Sequence, residues 1–173
     1  MTIDTALFRD AMARLGAAVN IITTRAPEGD MGFTASAVCS VTDTPATLLV
    51  CMNKNSRLSG AFQQGGPLCV NVLNAYGEPL SRLFSGQQGL SMAERFAQAG
   101  WGRLETGAPV LEAATAAFDG VISSVVEIGT HRVLFCDVRA VKLCPQATGL
   151  VYHQRRYHRL ETAPVSYTHL TLP

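Results

Sequence analysis

Short runs of β-branched and apolar residues, separated by turn residues rather than by helices, most constrain the fold of this chain. Such runs are typical of strands, and strands that follow one another directly pair as antiparallel sheets instead of forming βαβ units. The predicted strands span residues 18–24, 33–41, 47–52, 69–73, 115–128, 131–143 and 149–152. The sequence therefore predicts a mainly β fold, with six or seven strands in a closed or partly closed barrel.

A few short helices complete the predicted fold. Residues 4–16 have an amphipathic pattern, which predicts a helix with one apolar stripe. A second helix is predicted over 56–62, where Ser56 can act as the N-cap. Residues 78–99 are predicted to be helical in two pieces, and the second piece begins with a capping box formed by Ser91 and Glu94. The stripe of the first helix consists of Leu7, Phe8, Ala11, Met12 and Leu15.

Length and charge limit the classes to which the chain can belong. Of the 173 residues, we predict one domain over 1–160 and a disordered or foreign tail over 161–173, which continues no pattern. The net charge of +1 argues against nucleic-acid binding, which needs a basic surface. The charged fraction of 16% is low for a soluble domain, which suggests that a partner or a second copy covers part of the surface. No apolar run is long enough to span a membrane.

The cysteines and the N-terminal sequence favour the cytoplasm. The five cysteines contain no CxxC pair and lie inside apolar runs, which favours buried free thiols over a zinc site. The first ten residues contain acidic side chains and no apolar segment, so no secretory signal is visible. We therefore expect a cytoplasmic protein without a metal site.

Several motifs of common catalytic sites do not occur in the sequence. There is no GxGxxG after a strand, no GxxxxGK[ST], no GxSxG and no HExxH. A Rossmann dinucleotide site, a phosphate-binding P-loop, a nucleophile elbow and a zinc protease site are therefore not indicated.

The segment 32–42 has the flanks of a strand but contains four small side chains in a row, from Thr34 to Ala37. Small residues allow a flat ligand to approach the backbone, and the hydroxyl groups of Thr34, Ser36 and Ser40 add uncharged hydrogen-bonding groups. A crowded sheet crossing where nothing larger fits explains the same pattern. From the residues alone, this crossing is the simpler interpretation.

Residues 53–59 follow the most apolar predicted strand and open a predicted helix. Free N–H groups at a helix start, two serine hydroxyl groups and the cations Lys54 and Arg57 can together bind a phosphate. The alternative is an ordinary capped helix with a solvated basic residue. The position just beyond the end of a strand slightly favours the ligand.

Two further polar segments lie near predicted strand ends. His131 is at the end of a hairpin corner, where an imidazole can donate a hydrogen bond or exchange a proton near pH 7, although such histidines often only satisfy a backbone group. Residues 152–158 combine aromatic, cationic and imidazole groups, and a polar edge strand is the alternative explanation. His153 and His158 are five residues apart, which in one extended strand places them on opposite faces and excludes a metal pair.

Several of these segments follow one another in a specific order and spacing. The segments are residues 32–45, 68–73, 129–131, 149–152 and 156–158. Together they resemble the flavin reductase family, whose fold is a split β-barrel, and the resemblance covers almost the whole chain up to residue 158. Within the family, the chain is most similar to short members that reduce FMN with NADH for pyrimidine degradation. The chain is next most similar to the reductase components of 4-hydroxyphenylacetate 3-monooxygenases.

The resemblance implies which residues form the site. Those that would line the flavin ring and the ribityl chain are Thr34, Ala35, Ser36, Ala37, Val38 and Ser40. Those that would hold the ribityl chain and the phosphate are Asn53, Asn55, Ser56, Arg57 and Leu58. His131, the candidate catalytic residue, would contact the nicotinamide side. The residues that would border the pyridine nucleotide are Tyr152, Arg155, Arg156 and Tyr157.

The resemblance also implies a reaction and partners. Hydride would pass from NAD(P)H, in the first place NADH, to FMN or FAD. The reduced flavin would serve a partner monooxygenase in pyrimidine degradation or, alternatively, an aromatic hydroxylation of the 4-hydroxyphenylacetate type. The family is homodimeric, with flavin near the subunit interface, which agrees with the low charge content. A non-catalytic flavin-binding module and a regulatory subunit of an oxygenase are alternatives from other classes.

Overall fold

The computed structural model describes residues 2–162 of the chain, and within that range it contains three α-helices, one 3-10 turn and twelve strands. The helices are α1 Thr5–Met12, α2 Glu78–Phe84 and α3 Met92–Phe96, and the 3-10 turn is Ser59–Ala61. The strands are β1 Ala17–Ala18, β2 Asn20–Ala26, β3 Gly29–Ala35, β4 Val38–Asp43, β5 Ala46–Asn53, β6 Pro67–Val72, β7 Trp101–Arg103, β8 Pro109–Leu111, β9 Ala116–Ile128, β10 His131–Leu143, β11 Gly149–His153 and β12 Arg156–Leu160. Most of the predicted tail, residues 163–173, lies outside the described residues.

Seven strands form one antiparallel sheet in the order β3-β2-β6-β9-β10-β5-β4. In a flat sheet, its two edge strands would lie about 29 Å apart, because neighbouring strands are about 4.8 Å apart. The edge strands β3 and β4 are nevertheless joined by only Ser36 and Ala37, and the steps from Ala35 to Val38 span at most about 11 Å. The sheet must therefore curl until its edges meet. The prediction of a mainly β, barrel-like fold with a few short helices is confirmed.

The small-residue segment lies where the barrel closes. The prediction of one continuous strand over 33–41 is wrong, because the chain leaves one edge of the sheet at Ala35 and joins the other edge at Val38. The backbone N–H of Cys51 donates to the carbonyl of Ala37 (3.0 Å), which attaches the second half to β5. Small side chains suit this crowded crossing, as the simpler interpretation of the sequence has it.

The barrel encloses one of two apolar cores. In β5, Leu48, Val50 and Met52 are buried while the residues between them are half-buried, so the strand alternates between the interior and an outer face. A second core lies between the sheet and the two later helices. There, Phe84 packs edge-on against Phe96 and Trp101, with ring centroids 5.1 and 5.7 Å apart. This second core fixes α2, which contributes to the candidate site described below.

The remaining strands form small sheets of the orders β1-β11-β12 and β7-β8. The strands β11 and β12 make a hairpin whose two turn residues, Gln154 and Arg155, have positive φ angles of 51° and 59°. Two successive left-handed residues form a type I′ turn, which reverses the chain. Residues 152–158 are therefore a hairpin and not a single edge strand. The expectation that His153 and His158 lie on opposite faces is wrong, since their ring centroids are 5.8 Å apart.

Three of the four predicted helices are α-helices in the structure, and the first is shorter than predicted. The first ends at Met12 rather than at residue 16, and its stripe is exposed, with Leu7 and Phe8 at 60% and 52%. The helix predicted over 56–62 is only the 3-10 turn. The two pieces within 78–99 are α2 and α3, and the capping box of Ser91 and Glu94 is present.

The cysteines are not all buried. Cys69 and Cys136 are buried, but Cys51 and Cys144 are half-buried and Cys39 is exposed, because it points outward from the edge strand β4. Within residues 2–162, no three potential metal ligands among histidine, cysteine, aspartate and glutamate come together. None of the helices in the described range combines the length and the apolar character that a membrane crossing requires.

Candidate functional site

The closing segment of the barrel borders a small recess of about 150 Å³. The recess is lined by Val19, Thr34, Ala35, Ser36, Ser81, Tyr152 and Tyr157. The Thr34 hydroxyl donates to the carbonyl of Ser81 (2.6 Å), which fixes β3 to α2. The carbonyl of Ala35 accepts from the buried side-chain amide of Asn20 in β2 (3.2 Å), so β2 holds the backbone of the segment in place. The predicted ring-binding residues Thr34, Ala35 and Ser36 thus lie beside two tyrosines.

The two tyrosines belong to the β11–β12 hairpin. Tyr152 and Tyr157 lie opposite each other in the antiparallel register, with ring centroids 5.1 Å apart. The hydroxyl of Tyr157 lies 2.9 Å from the buried hydroxyl of Ser81, and the guanidinium of Arg82 lies over its ring at 5.1 Å. Because α2 thus holds Tyr157 by a hydrogen bond and a cation–π contact, the hairpin is positioned firmly against the recess.

An arginine-rich cleft of about 310 Å³ adjoins this hairpin. Its lining consists of Glu78, Arg82, Gln87, Tyr152, Arg155, Arg156 and Tyr157. Arg82 donates to the carboxylate of Glu78 one turn earlier on α2 (2.8 and 3.0 Å), and Arg155 donates to Asp10 of α1 (2.6 Å). The cleft can therefore attract an anion through exposed guanidinium groups.

The loop after β5 and the corner before β10 form a second group of predicted site residues. Asn53 lies opposite His131 in the register of β5 and β10, and the N–H of Lys54 donates to the carbonyl of Thr130 (3.1 Å). The ring nitrogen Nδ1 of His131 lies 2.8 Å from the Thr130 hydroxyl, and the side chain is exposed. The neighbouring hydroxyl therefore orients the imidazole, and the ring can meet a ligand on its other nitrogen.

The polar side chains of residues 53–58 mainly shape the loop itself. The amide oxygen of Asn53 accepts from the N–H of Asn55 (2.9 Å), and the hydroxyl of Ser56 accepts from the N–H of Leu58 (3.2 Å). These are local side-chain-to-backbone turns. Arg57 and Leu58 line a separate open cleft of about 690 Å³, which also contains Met31 of β3. The predicted phosphate residues and ring residues thus line different cavities, both of which include residues of β3.

The other predicted site residues lie in and around the barrel closure. Ala37 is exposed at the closure itself, and Val38 pairs with Val50 at the start of β4. Ser40 is exposed farther along β4, opposite Leu48. The structure therefore brings the closing segment, the tyrosine hairpin and the arginines together, while Asn53 and His131 form a neighbouring group.

Sequence reasoning missed three residues of this region. Glu78 and Arg82 enter the arginine-rich cleft from α2, and their only sequence signal is an acid–base pair one helical turn apart. Arg132 is buried inside the barrel, at 8% exposure, and donates to the carbonyls of Ser59 (2.6 Å) and Phe62 (3.0 Å) and to the Ser59 hydroxyl (3.0 Å). Its signal is its place two residues before Leu134, in the alternation of buried positions that continues with Cys136.

The thiols of this region do not offer a nucleophile. Burial raises the pKa of Cys51, which donates its backbone N–H to Ala37 at the closure. Burial also raises the pKa of Cys136 in the barrel interior to about 12. Both groups are therefore protonated at neutral pH, and thiolate chemistry is not available from them.

Comparison with known proteins gives matches that cover most of this chain. The model of the family described as "Flavin reductase like domain" matches residues 12–161. A protein named FMN reductase (NADH) RutF from Enterobacter sp. (strain 638) is 55% identical over 159 residues, which covers 92% of this chain and 96% of that protein. Its namesake from Escherichia coli (strain K12) is 53% identical over 158 residues, covering 91% and 95% of the two chains.

Solved structures give the same result for the fold. A crystal structure from Haemophilus somnus 129PT, assigned as a flavin reductase, has a TM-score of 0.86 and 44% identity, and the match covers 91% of this chain and 99% of the other. The flavin reductase PheA2 in its native state has a TM-score of 0.80 and 26% identity, with 92% and 100% of the two chains covered.

Proposed function

Because this chain belongs to the flavin reductase family, we propose that it transfers hydride from NADH to FMN and releases reduced flavin to a monooxygenase. The observation that carries this proposal is the barrel closure. There, a segment of small side chains borders an aromatic hairpin, and the same hairpin lines a cleft of exposed arginines. A flat ring system with an anionic extension needs this combination of close backbone approach, aromatic contact and positive charge.

The flavin and the nicotinamide supply the redox chemistry, since hydride passes between their rings. The protein binds and orients both. Ala35, Ser36 and Ala37 leave room for a planar ring against the backbone, and residues of the 53–58 loop, with Arg57, hold the ribityl chain and the phosphate. Tyr152 and Tyr157 cover the recess and exclude water from it. His131, oriented by Thr130, hydrogen-bonds to the nicotinamide side and positions it.

The released reduced flavin requires an acceptor enzyme. We infer that this acceptor is a monooxygenase of pyrimidine degradation, which is supported by the resemblance of the chain to reductases of that pathway. We infer that the reaction takes place in the cytoplasm, where free thiols such as those of this chain are kept reduced. A reductase for an aromatic hydroxylase is the alternative, because residues 53–56 resemble those reductases.

A second copy of the chain completes the site in this proposal. The outer face of the sheet exposes or half-exposes apolar side chains that no described residue covers, and so does α1. On the sheet, these residues are Leu49, Cys51, Val126, Ile128, Val133 and Phe135. A monomer rarely leaves such a surface open. Sedimentation should therefore give twice the 18.5 kDa mass of the chain, and a fully active monomer would contradict the proposal.

The proposed activity is tested by NADH oxidation in the presence of FMN, FAD and riboflavin in parallel. We expect turnover with all three and the lowest KM for FMN, because Arg57 and the 53–58 loop recognise a phosphate. Flavin binding without NADH oxidation would identify a non-catalytic module. Absence of both flavin binding and turnover would identify a regulatory subunit.

A further inference from the structure

The arginine-rich cleft contains a carboxylate that a simple anion site does not need. Three guanidinium groups, of Arg82, Arg155 and Arg156, line the cleft together with the single carboxylate of Glu78. Glu78 is half-buried and accepts two hydrogen bonds from Arg82 through one oxygen, Oε1. Its other carboxylate oxygen, Oε2, makes no hydrogen bond within residues 2–162 and can accept one from a ligand.

The net charge of the cleft limits the number of phosphate groups that it can bind. Three guanidinium groups and one carboxylate leave two positive charges in the lining. Asp10 offsets one of them from outside the lining, since it pairs with Arg155 at 2.6 Å. Arg156 is the one lining arginine for which the described part of the chain provides no ion pair. One net positive charge therefore remains, on Arg156, which can meet the pyrophosphate of a dinucleotide, and the cleft has no cation left for a third phosphate group.

We infer that Glu78 is a specificity-determining residue that makes this enzyme select NADH over NADPH. The inference rests on the proposed function, in which the cleft holds the pyridine nucleotide. NADPH carries an additional phosphate on the adenosine ribose, with a charge near −2 at neutral pH, where NADH carries a hydroxyl group. A carboxylate accepts a hydrogen bond from that hydroxyl group, but it repels the phosphate.

Glu78 also pairs with Arg82, whose guanidinium a third phosphate would require. Arg82 is the arginine of α2 that faces the cleft, and the carboxylate of Glu78 holds it at 2.8 Å while its guanidinium lies over Tyr157. A phosphate could recruit Arg82 only by breaking this pair. The repulsion and the occupied guanidinium act in the same direction, so a single neutral substitution should weaken both.

The test is the variant Glu78→Gln, which keeps the size of the side chain and removes its charge. For wild type and variant, we would measure kcat/KM with NADH and with NADPH, and the Kd values of NAD+ and NADP+ by calorimetry. The ratio of NADPH to NADH efficiency should rise about fivefold or more, because both side chains are partly exposed and their charges partly screened. The Kd ratio should move equally, and the shift should shrink when the ionic strength increases from about 0.01 M to about 1 M.

The matched control is Glu105→Gln, which makes the same change of charge at an exposed carboxylate in a different cavity. It should leave both ratios unchanged. If Glu78→Gln changes neither ratio, or if Glu105→Gln changes them as much, the assignment of Glu78 is wrong. Arg156→Met separates this failure from a failure of the proposed function. If the cleft holds the nucleotide, Arg156→Met raises the Kd of NAD+ and NADP+ together, whereas unchanged Kd values would remove the nucleotide from the cleft altogether.

Discussion

The candidate site has two sides, which are the 53–58 loop with the start of β10 and the arginine-rich cleft. The two sides hold their arginines in opposite ways. Arg132, below the 53–58 loop, is buried and donates to two backbone carbonyls and one hydroxyl group. On the other side, Arg82, Arg155 and Arg156 are exposed, and two of them are paired with carboxylates. The first arrangement directs three hydrogen bonds into the protein, while the second keeps its guanidinium groups at the surface.

This difference separates an arginine that builds the site from arginines that would bind a ligand in the proposed function. The buried guanidinium of Arg132 donates three hydrogen bonds into the protein, which tie the 3-10 turn Ser59–Ala61 to β10 and so fix the neighbouring loop. Exposed ion pairs contribute little to stability, and Arg156, which pairs with no carboxylate in the described part of the chain, is open to a ligand. Position in the sequence does not distinguish these roles, whereas burial and hydrogen-bond partners do.

The largest effect is expected for Arg132→Met, which keeps an unbranched apolar side chain but leaves the buried carbonyl of Phe62 without its Arg132 donor and removes two hydrogen bonds to Ser59. The free energy of unfolding should fall by about 2–3 kcal/mol, because an unsatisfied buried carbonyl pays its full desolvation cost. Urea denaturation measures this loss. Arg155→Met is the matched control and should cost less than about 1 kcal/mol, as an exposed ion pair does. If both variants lose a similar amount of unfolding free energy, the proposed difference between the two sides is wrong.

A second prediction concerns Arg57, an exposed arginine in the 53–58 loop, on the same side of the site as the buried Arg132. If it is a ligand-binding arginine, Arg57→Ala should weaken FMN by about 1.5–3 kcal/mol, the value of a charge-assisted hydrogen bond. Riboflavin, which has no phosphate, should bind nearly as before. Fluorescence titrations with both flavins measure this. Equal weakening of FMN and riboflavin would mean that Arg57, like Arg132, acts through the fold.

A third prediction concerns the closing segment between the two sides. Ala37 is exposed at the point where the sheet edges meet, and its side chain does not fill a core. Ala37→Leu should therefore leave the melting temperature within a few degrees of wild type, and we expect it to weaken FMN and riboflavin alike because it blocks the approach of the ring. Calorimetry and flavin titration test the two parts. Unchanged riboflavin affinity would show that the ring lies elsewhere.

The strands could be predicted from the sequence because alternating and apolar runs of β5, β9 and β10 reflect burial directly. The break at Ser36 and Ala37 could not, since small residues fit a continuous strand and a crossing equally well. The hairpin after His153 was missed because its turn residues, Gln154 and Arg155, are not the usual asparagine and glycine of type I′ turns.

Only part of the candidate site could be predicted from the sequence. Residues of the closing segment and of the 152–157 hairpin stand out in the sequence because each forms an unusual local pattern, and their roles toward a ligand stay predictions from the resemblance. Glu78, Arg82 and Arg132 were missed because their signals, an acid–base pair one helical turn apart and a place in a buried alternation, are common in any helix or strand. They reach the site only through the packing of α2, by its Phe84, on Phe96 and Trp101 and through the inward face of β10, which are properties of the folded chain.

The smallest effect is expected for His131, the neighbour of Arg132 on the opposite face of β10. His131→Ala should raise the KM for NADH about fivefold, as expected for loss of one neutral hydrogen bond, and should slow hydride transfer. FMN affinity should remain nearly unchanged, and turnover at saturating NADH should persist, because hydride transfer needs no proton from the protein. Stopped-flow kinetics separate binding from transfer. Complete loss of transfer with normal NADH binding would make His131 an obligatory proton donor. Unchanged KM and rate would mean that its imidazole only completes the hairpin corner, so that neither of two adjacent residues on β10 contacts the substrate.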